Sequence, residues 1–237
     1  MTGPAWIEPF VALLVAGLLA LVAYWLLRPQ HGLISRWRRS RRVTERIRRE
    51  DTLKHIHRCE MEGVPPTLHS LAGALQISAD QAAQLLSELQ SDELVLAQGG
   101  PIGLTPGGRQ TALHLLRAHR LWESHLASET GVPEVEWHEQ ADDAEHRLTP
   151  DELHALDARL GYPEQDPHGD PIPTVTGSIV RHGGVPLPEA QLDLLLRIIH
   201  LEDEPEAVYA QLVAERLHPG MEIRLIERTR QRIRGNG

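Results

Sequence analysis

Cysteine occurs once in the 237 residues, at Cys59. No intrachain disulfide framework can form, and this usage fits a reducing compartment. The chain also lacks a phosphate-binding glycine loop and a nucleophile elbow, so neither nucleotide chemistry nor serine-type hydrolysis is signalled. Positive charge is scarce outside the first fifth of the chain. Residues 1–50 carry nine Arg against three acids, whereas the remainder carries fifteen Lys and Arg against thirty acids, for a formal charge of −9 overall. An acidic body argues against a nucleic-acid coat protein and fits a cation binder or a plain soluble domain.

What the front of the chain does have is an uninterrupted apolar run. Residues 10–27, FVALLVAGLLALVAYWLL, carry no charge, and Trp6, Tyr24 and Trp25 sit near its ends. A run of this length suits a single membrane-spanning helix with interfacial aromatics. A cleaved signal peptide is the rival reading, but its positive leading region is missing: Glu8 is present and no Lys or Arg precedes the run. Arginines 36, 38, 39, 41, 42, 46, 48 and 49 crowd the following segment. The positive-inside tendency then predicts a single-pass membrane protein with its carboxy-terminal body in the cytoplasm. The same arginines suit contact with anionic lipid or with DNA phosphates.

The body reads as mainly α. Helical patterns cover 44–61, 67–75 and 79–92, followed by ELVLAQGGPIGLTP, which reads as strand, Gly-rich turn, strand. Three short helices and a two-stranded wing make a winged helix-turn-helix pattern. A long helix is predicted over 107–129 and another over 133–147. Thr149-Pro150-Asp151-Glu152 then marks a helix start, with Thr149 as cap and acids in the first turn. DPHGDPIP (166–173) reads as an ordered turn, 174–190 as a linker, and the remainder as strands around a helix.

Two predicted helices carry the chemistry. His119 and Glu123 are four apart on the long one; His138, Asp142, Glu145 and His146 are spaced to share a face of the next. Such faces can bind metal, do acid–base work, or be plain wetted surface. His138 stands two turns from Glu145 and His146, so two neighbouring ions suit these donors better than one. Oxygen and nitrogen donors without thiolate suit Mn(II) or Fe(II). HExxD at His138–Asp142 lacks the second histidine of a zinc-hydrolase helix, and catalysis is not expected.

RAHRLWESHL, then WHEQADDAEHRLTPDEL, then DPHGDPIP resemble, in order and spacing, the metal-binding and dimerisation domain of the DtxR/MntR family of iron- and manganese-dependent repressors. The resemblance runs from about residue 50 to 173. It implies a winged helix-turn-helix over 44–108 and a helical metal-binding and dimerisation domain over 109–173. A linker and partial SH3-like β segment over 174–237 would follow, ending short of the family's full strand complement. Ahead of these lie the expected membrane anchor (1–28) and a basic juxtamembrane linker (29–43). The resemblance further implies an ancillary metal site at His119, Glu123 and His138 and an activating site at Asp51, Asp142, Glu145 and His146. Carboxylates at Asp51 and Asp142, where iron-type members carry softer donors, tilt the choice towards Mn(II), with Fe(II) still open. Lys54 stands where manganese-type members carry a further acid. Glu204 or Glu206 is placed to reach the ancillary site.

The implied function is a membrane-tethered, metal-dependent regulator whose homodimer binds operator DNA. Ser78, Gln81 and Gln84 are the candidates for touching DNA. Between Asp51 and Gly108, however, only Lys54 and Arg58 are basic against seven acids, and Leu68, Ser70, Glu88 and Ser91 replace family arginines. That is a poor footprint for phosphate contacts. The alternative is a membrane-anchored metal sensor that regulates a metal transporter without binding DNA.

Overall fold

Absence of Pro and Gly from residues 33–62 permits one long helix there, and α1 spans Leu33–Glu62. The structure is a computed structural model that describes residues 11, 13–16, 18, 33–96, 101–180, 183–203, 205–228 and 233–236. The expected span at 10–27 falls largely outside these; Val11, Leu13, Leu14, Val15, Ala16 and Leu18 are helical and exposed. Among the described residues no helix is long and apolar enough to cross a membrane. The chain divides into two compact units, Met1–Asp51 and Thr52–Gly237. Residues 33–42, expected within a linker, are helical instead. Arginine is a good helix former, and its charge does not interrupt the backbone ladder. Gly63, at φ +70°, ends α1 in a left-handed cap, with the Val64 N–H donating to the Cys59 carbonyl at 2.9 Å.

The remaining elements of the larger unit follow their local signals. α2 (Leu68–Ala74) and α3 (Ala79–Ser91) each open on a reciprocal capping box, Thr67 with Ser70 and Ser78 with Gln81. β1 (Val95–Leu96) and β2 (Gly103–Leu104) pair antiparallel as a small wing. α4 (Pro106–Glu129) starts at a Thr105 cap with proline in its first turn, and Gly108 is required there because a Cβ would lie 2.0 Å from the Leu94 carbonyl oxygen. The helix predicted over 133–147 is shorter. A 3-10 turn at Glu134–Glu136 leads into α5 (Trp137–Glu145), and His146 is its C-cap. α6 (Pro150–Arg159) has the Thr149 and Glu152 capping box. β3 (Leu195–Arg197), β4 (Glu222–Arg228) and β5 (Ile233–Asn236) form an antiparallel sheet in that order, with α7 (Glu206–Ala214) between β3 and β4 in the chain.

Two apolar cores share α4. The first gathers Leu53, Ile56, Leu71, Leu86, Leu89 and Ala112, among others, and closes the helix-wing part around the start of α4. The second gathers Ala118, Leu121, Leu153, Leu156 and Ile172. Each fully buried leucine contributes about 1.5–3 kcal/mol. α4 is thereby fixed along its length, and the polar side chains it projects between the cores have little freedom.

Candidate metal centre

α4 is the spine of the site. Its Arg117 and Arg120 reach across to hold the 164–173 turn. Arg117 Nη1 donates to the Pro173 carbonyl at 2.7 Å and Nη2 pairs with Asp157 at 2.5 Å. Arg120 donates to the Pro171 carbonyl at 2.6 Å and to Asp170 Oδ1 at 3.0 Å. Within the turn, Asp166 Oδ1 accepts from the backbone N–H of both His168 and Asp170 at 2.9 Å. Burial, then the charges of Glu123 and Asp170, push the Asp166 carboxyl up to about 7. The Leu201 N–H donates to the His168 carbonyl at 2.9 Å, which ties residues 198–203 over the turn.

This framework brings donors from four segments together. Ligand atoms of His119, Glu123, His138 and Asp203 all lie within 4.8 Å of one another, and so do those of Glu123, Asp166 and His168. Glu123 is the hub, with its side chain only 2 % exposed. Its Oε1 lies 3.2 Å from His119 Nε2 and 3.7 Å from His138 Nδ1, and its Oε2 lies 3.6 Å from His168 Nδ1. His138 Nδ1 also meets Asp203 at 2.8 Å. Burial would raise the Glu123 carboxyl, but the His119, His138 and His168 imidazoles around it hold it far below the usual range. His168 is packed edge-on to the Tyr209 ring, and neither of its buried ring nitrogens has a hydrogen-bond partner. A buried imidazole facing two carboxylates without bonding either is costly as it stands and suits coordination. The donor set of imidazoles and carboxylates fits a divalent first-row cation.

A second cluster lies on the other side of the His119 ring. His119 Nδ1 lies 2.8 Å from Glu145 Oε2 and 3.2 Å from Asp142 Oδ1. His146 Nε2 stands 3.6 Å from Glu145 Oε1. Lys54, from α1, places its Nζ 3.0 Å from Asp142 Oδ1 and 3.0 and 2.8 Å from the two Glu145 oxygens. Burial lowers the Lys54 amine, but the Glu145 and Asp142 charges outweigh it and the net shift is upward. Burial and the Lys54 charge likewise oppose protonation of His119, yet its bonds to Asp142, Glu123 and Glu145 lift it to about 10. Asp142 is pushed up by burial and pulled down further by the His119 bond and the Lys54 charge, ending well below the ordinary carboxylate range.

Of the expected ancillary donors, His119, Glu123 and His138 stand together. Among the described residues the acid that joins them is Asp203; the expected candidates Glu204 and the Glu206 side chain lie outside the described residues. His168 and Asp166 were legible only as parts of a turn. Of the expected activating donors, Asp142 and Glu145 face Lys54 and His146 stands beside Glu145; Asp51 is half-buried and belongs to the amino-terminal unit. Ser78 and Gln81 are exposed but spend their side chains on capping each other, and Gln84 donates to Glu88 at 3.0 Å.

Residues 105–174 match the family model described as iron dependent repressor, metal binding and dimerisation domain. The chain is similar to the iron-dependent repressor IdeR of Mycobacterium tuberculosis, 33 % identical over 173 residues that cover 72 % of this chain and 74 % of that one. Over 73 residues it is 42 % identical to a probable metal transport system membrane protein of Chlamydia trachomatis, covering 31 % of this chain and 16 % of that one. Among solved structures, a manganese-dependent transcriptional repressor in complex with manganese superposes with TM-score 0.70 at 27 % identity, covering 76 % of this chain and 84 % of that one. The chain belongs to the DtxR/IdeR/MntR family of iron- and manganese-dependent repressors.

Proposed function

We propose that this chain is a metal-dependent transcriptional repressor that responds to Mn(II) or Fe(II), acts as a homodimer on operator DNA, and is tethered by residues 10–27 to the bacterial inner membrane with its body in the cytoplasm. The observation that carries the metal reading is the buried convergence of His119, Glu123, His138 and Asp203 beside the unsatisfied His168. These residues, with Asp166 at the edge, would hold the ion. A divalent cation there supplies positive charge and directional bonding to groups that otherwise lean only on each other. The chain's own part is to bring them together. Two arginines of α4 hold the His168 turn, the 198–203 segment delivers Asp203, and α5 delivers His138. Donors drawn from four separate segments converge only in one arrangement of those segments. Metal-dependent ordering then follows as a population shift set by differential affinity. The wing and α2–α3 supply the DNA-reading half, with Ser78, Gln81 and Gln84 on its exposed face. Asp51 is assigned to the activating set on resemblance.

The arginines of residues 36–49 supply the phosphate contacts that the acidic helix-wing region lacks. The test is selection by the full chain, in lipid nanodiscs with Mn(II), from a pool of palindromic duplexes. Enrichment that chelator abolishes is the expected result. No enrichment at low salt with stoichiometric metal bound would overturn operator binding. It would favour the second reading, a membrane-anchored sensor acting on a metal transporter. That reading is supported by the seven acids against two bases over 51–108, and by the likeness to the chlamydial membrane protein.

Metal binding is expected to strengthen with pH. His119, lifted to about 10, holds its proton at neutral pH and must release it to offer Nε2. Calorimetry in buffers of different ionisation enthalpy should therefore report release of about one proton or more per ion bound. An affinity independent of pH between 6 and 8 would remove His119 Nε2 from the donor set.

A further inference from the structure

Two carboxylates of the expected activating site are already served by a cation of the chain itself. These donors, Asp142 and Glu145, face an ammonium group. An ammonium has three N–H donors, and Lys54 Nζ meets three carboxylate oxygens, Asp142 Oδ1 at 3.0 Å and Glu145 Oε1 and Oε2 at 3.0 and 2.8 Å. The Glu145 side chain is fully buried, so its charge needs a permanent partner. The His119 Nδ1 side adds a further contact to the same two carboxylates, at 2.8 and 3.2 Å. The oxygen pair thus carries two negative charges and is served by a cation of the chain and an imidazole. A dication at the same oxygens would have to evict Lys54 or sit against it, leaving excess positive charge beside the buried Glu145.

We propose that Lys54 is a built-in cation standing in for the second divalent ion, so that each protomer holds one ion, at the histidine cluster. Lys54 belongs to α1 and the two carboxylates to α5, so the link between the DNA-reading helices and the dimerisation helices exists at this point without metal. The stoichiometry, though not the Lys54 contact, rests on the proposed metal reading of the histidine cluster. Control by metal then comes from the His119–Glu123–His138–Asp203 side alone, with a single-ion dose response.

Equilibrium dialysis of the full-length, detergent-solubilised protein against Mn(II), followed by elemental analysis, tests this. Wild type should bind one Mn(II) per protomer and Lys54→Glu two, the additional ion being held by Asp142, Glu145 and the new carboxylate. Lys54→Ala, which removes the ammonium without adding an acid, decides the matter if Lys54→Glu does not fold, and it should also gain an ion. Glu123→Gln in the Lys54→Glu background should keep one. Two ions in wild type, including one held by Asp51, Glu145 and His146 with Lys54 displaced, would overturn the proposal. So would the absence of any gained ion in folded Lys54 variants. No ion in wild type but one in Lys54→Glu would support the role of Lys54 while overturning the metal reading of the histidine cluster.

Discussion

Glu123→Gln is expected to strip the histidine cluster of its metal affinity and to weaken the metal-free fold at the same time. The side chain is isosteric, so its packing is preserved, and what changes is charge. Removing groups that only orient metal ligands costs roughly 10–100-fold in affinity, so losing the carboxylate that faces three imidazoles should cost at least about 100-fold. In the metal-free protein the same carboxylate balances buried histidines, and removing one partner of a buried charge pair costs about 3 kcal/mol or more.

The pH dependence separates these effects. Glu123 is held far below its ordinary value of 4.5, so its contribution is present above that value and is lost only as pH falls through its depressed one. His119 is raised from 6.5 to about 10, so its contribution is full below 6.5 and fades as pH rises towards 10. Urea melts of the metal-free wild type should therefore lose stability between about pH 6.5 and 10, and Glu123→Gln should flatten that decline. Retention of Mn(II) affinity within threefold, or an unchanged pH profile, would remove Glu123 from the centre of the site.

Gly169→Ala is expected to have the second large effect, and it acts without touching a donor. Gly169 has φ +93°, and a Cβ there would lie 2.1 Å from the Ile199 carbonyl oxygen. The backbone must leave its left-handed conformation or the 198–203 segment must lift away. Backbone strain of about 1–3 kcal/mol and overpacking of a similar size together predict a loss of about 2–5 kcal/mol. Lifting that segment separates Asp203 from His138 and frees the His168 carbonyl from the Leu201 N–H. A lowered urea midpoint together with weaker Mn(II) binding is the expected pair of results. Gly131→Ala serves as the comparison, because open space surrounds its added carbon. If Gly169→Ala binds metal as wild type does, the turn does not position the donors.

Much of the helical frame was legible because its signals are local. Thr149-Pro150-Asp151-Glu152 announces α6, and Ser78 with Gln81 announces α3, through contacts made within one turn. The same locality gives two of the candidates for touching DNA a structural role as well: Ser78 and Gln81 cap α3 with each other, and Gln84 donates to Glu88. Residues 33–42 looked like a linker because dense positive charge resembles a tether, yet no residue there breaks a helix. The site was half legible. His119, Glu123, His138, Asp142, Glu145 and His146 declare themselves by helical spacing. His168 and Asp203 do not, since their approach to Glu123 depends on two arginines reaching from α4 to a distant turn and on a strand register thereafter. Lys54 was visible as a base among acids, but only the folded structure shows which oxygens it meets.

The His119 ring also limits how this protein can change. One imidazole faces Glu123 with Nε2 and the Asp142–Glu145 pair with Nδ1. Only a five-membered ring with two opposed nitrogens serves both neighbourhoods, and no other side chain replaces it. Mutational drift that retunes ion preference on one flank is therefore felt on the other within a few ångströms, and the two flanks must evolve as a pair.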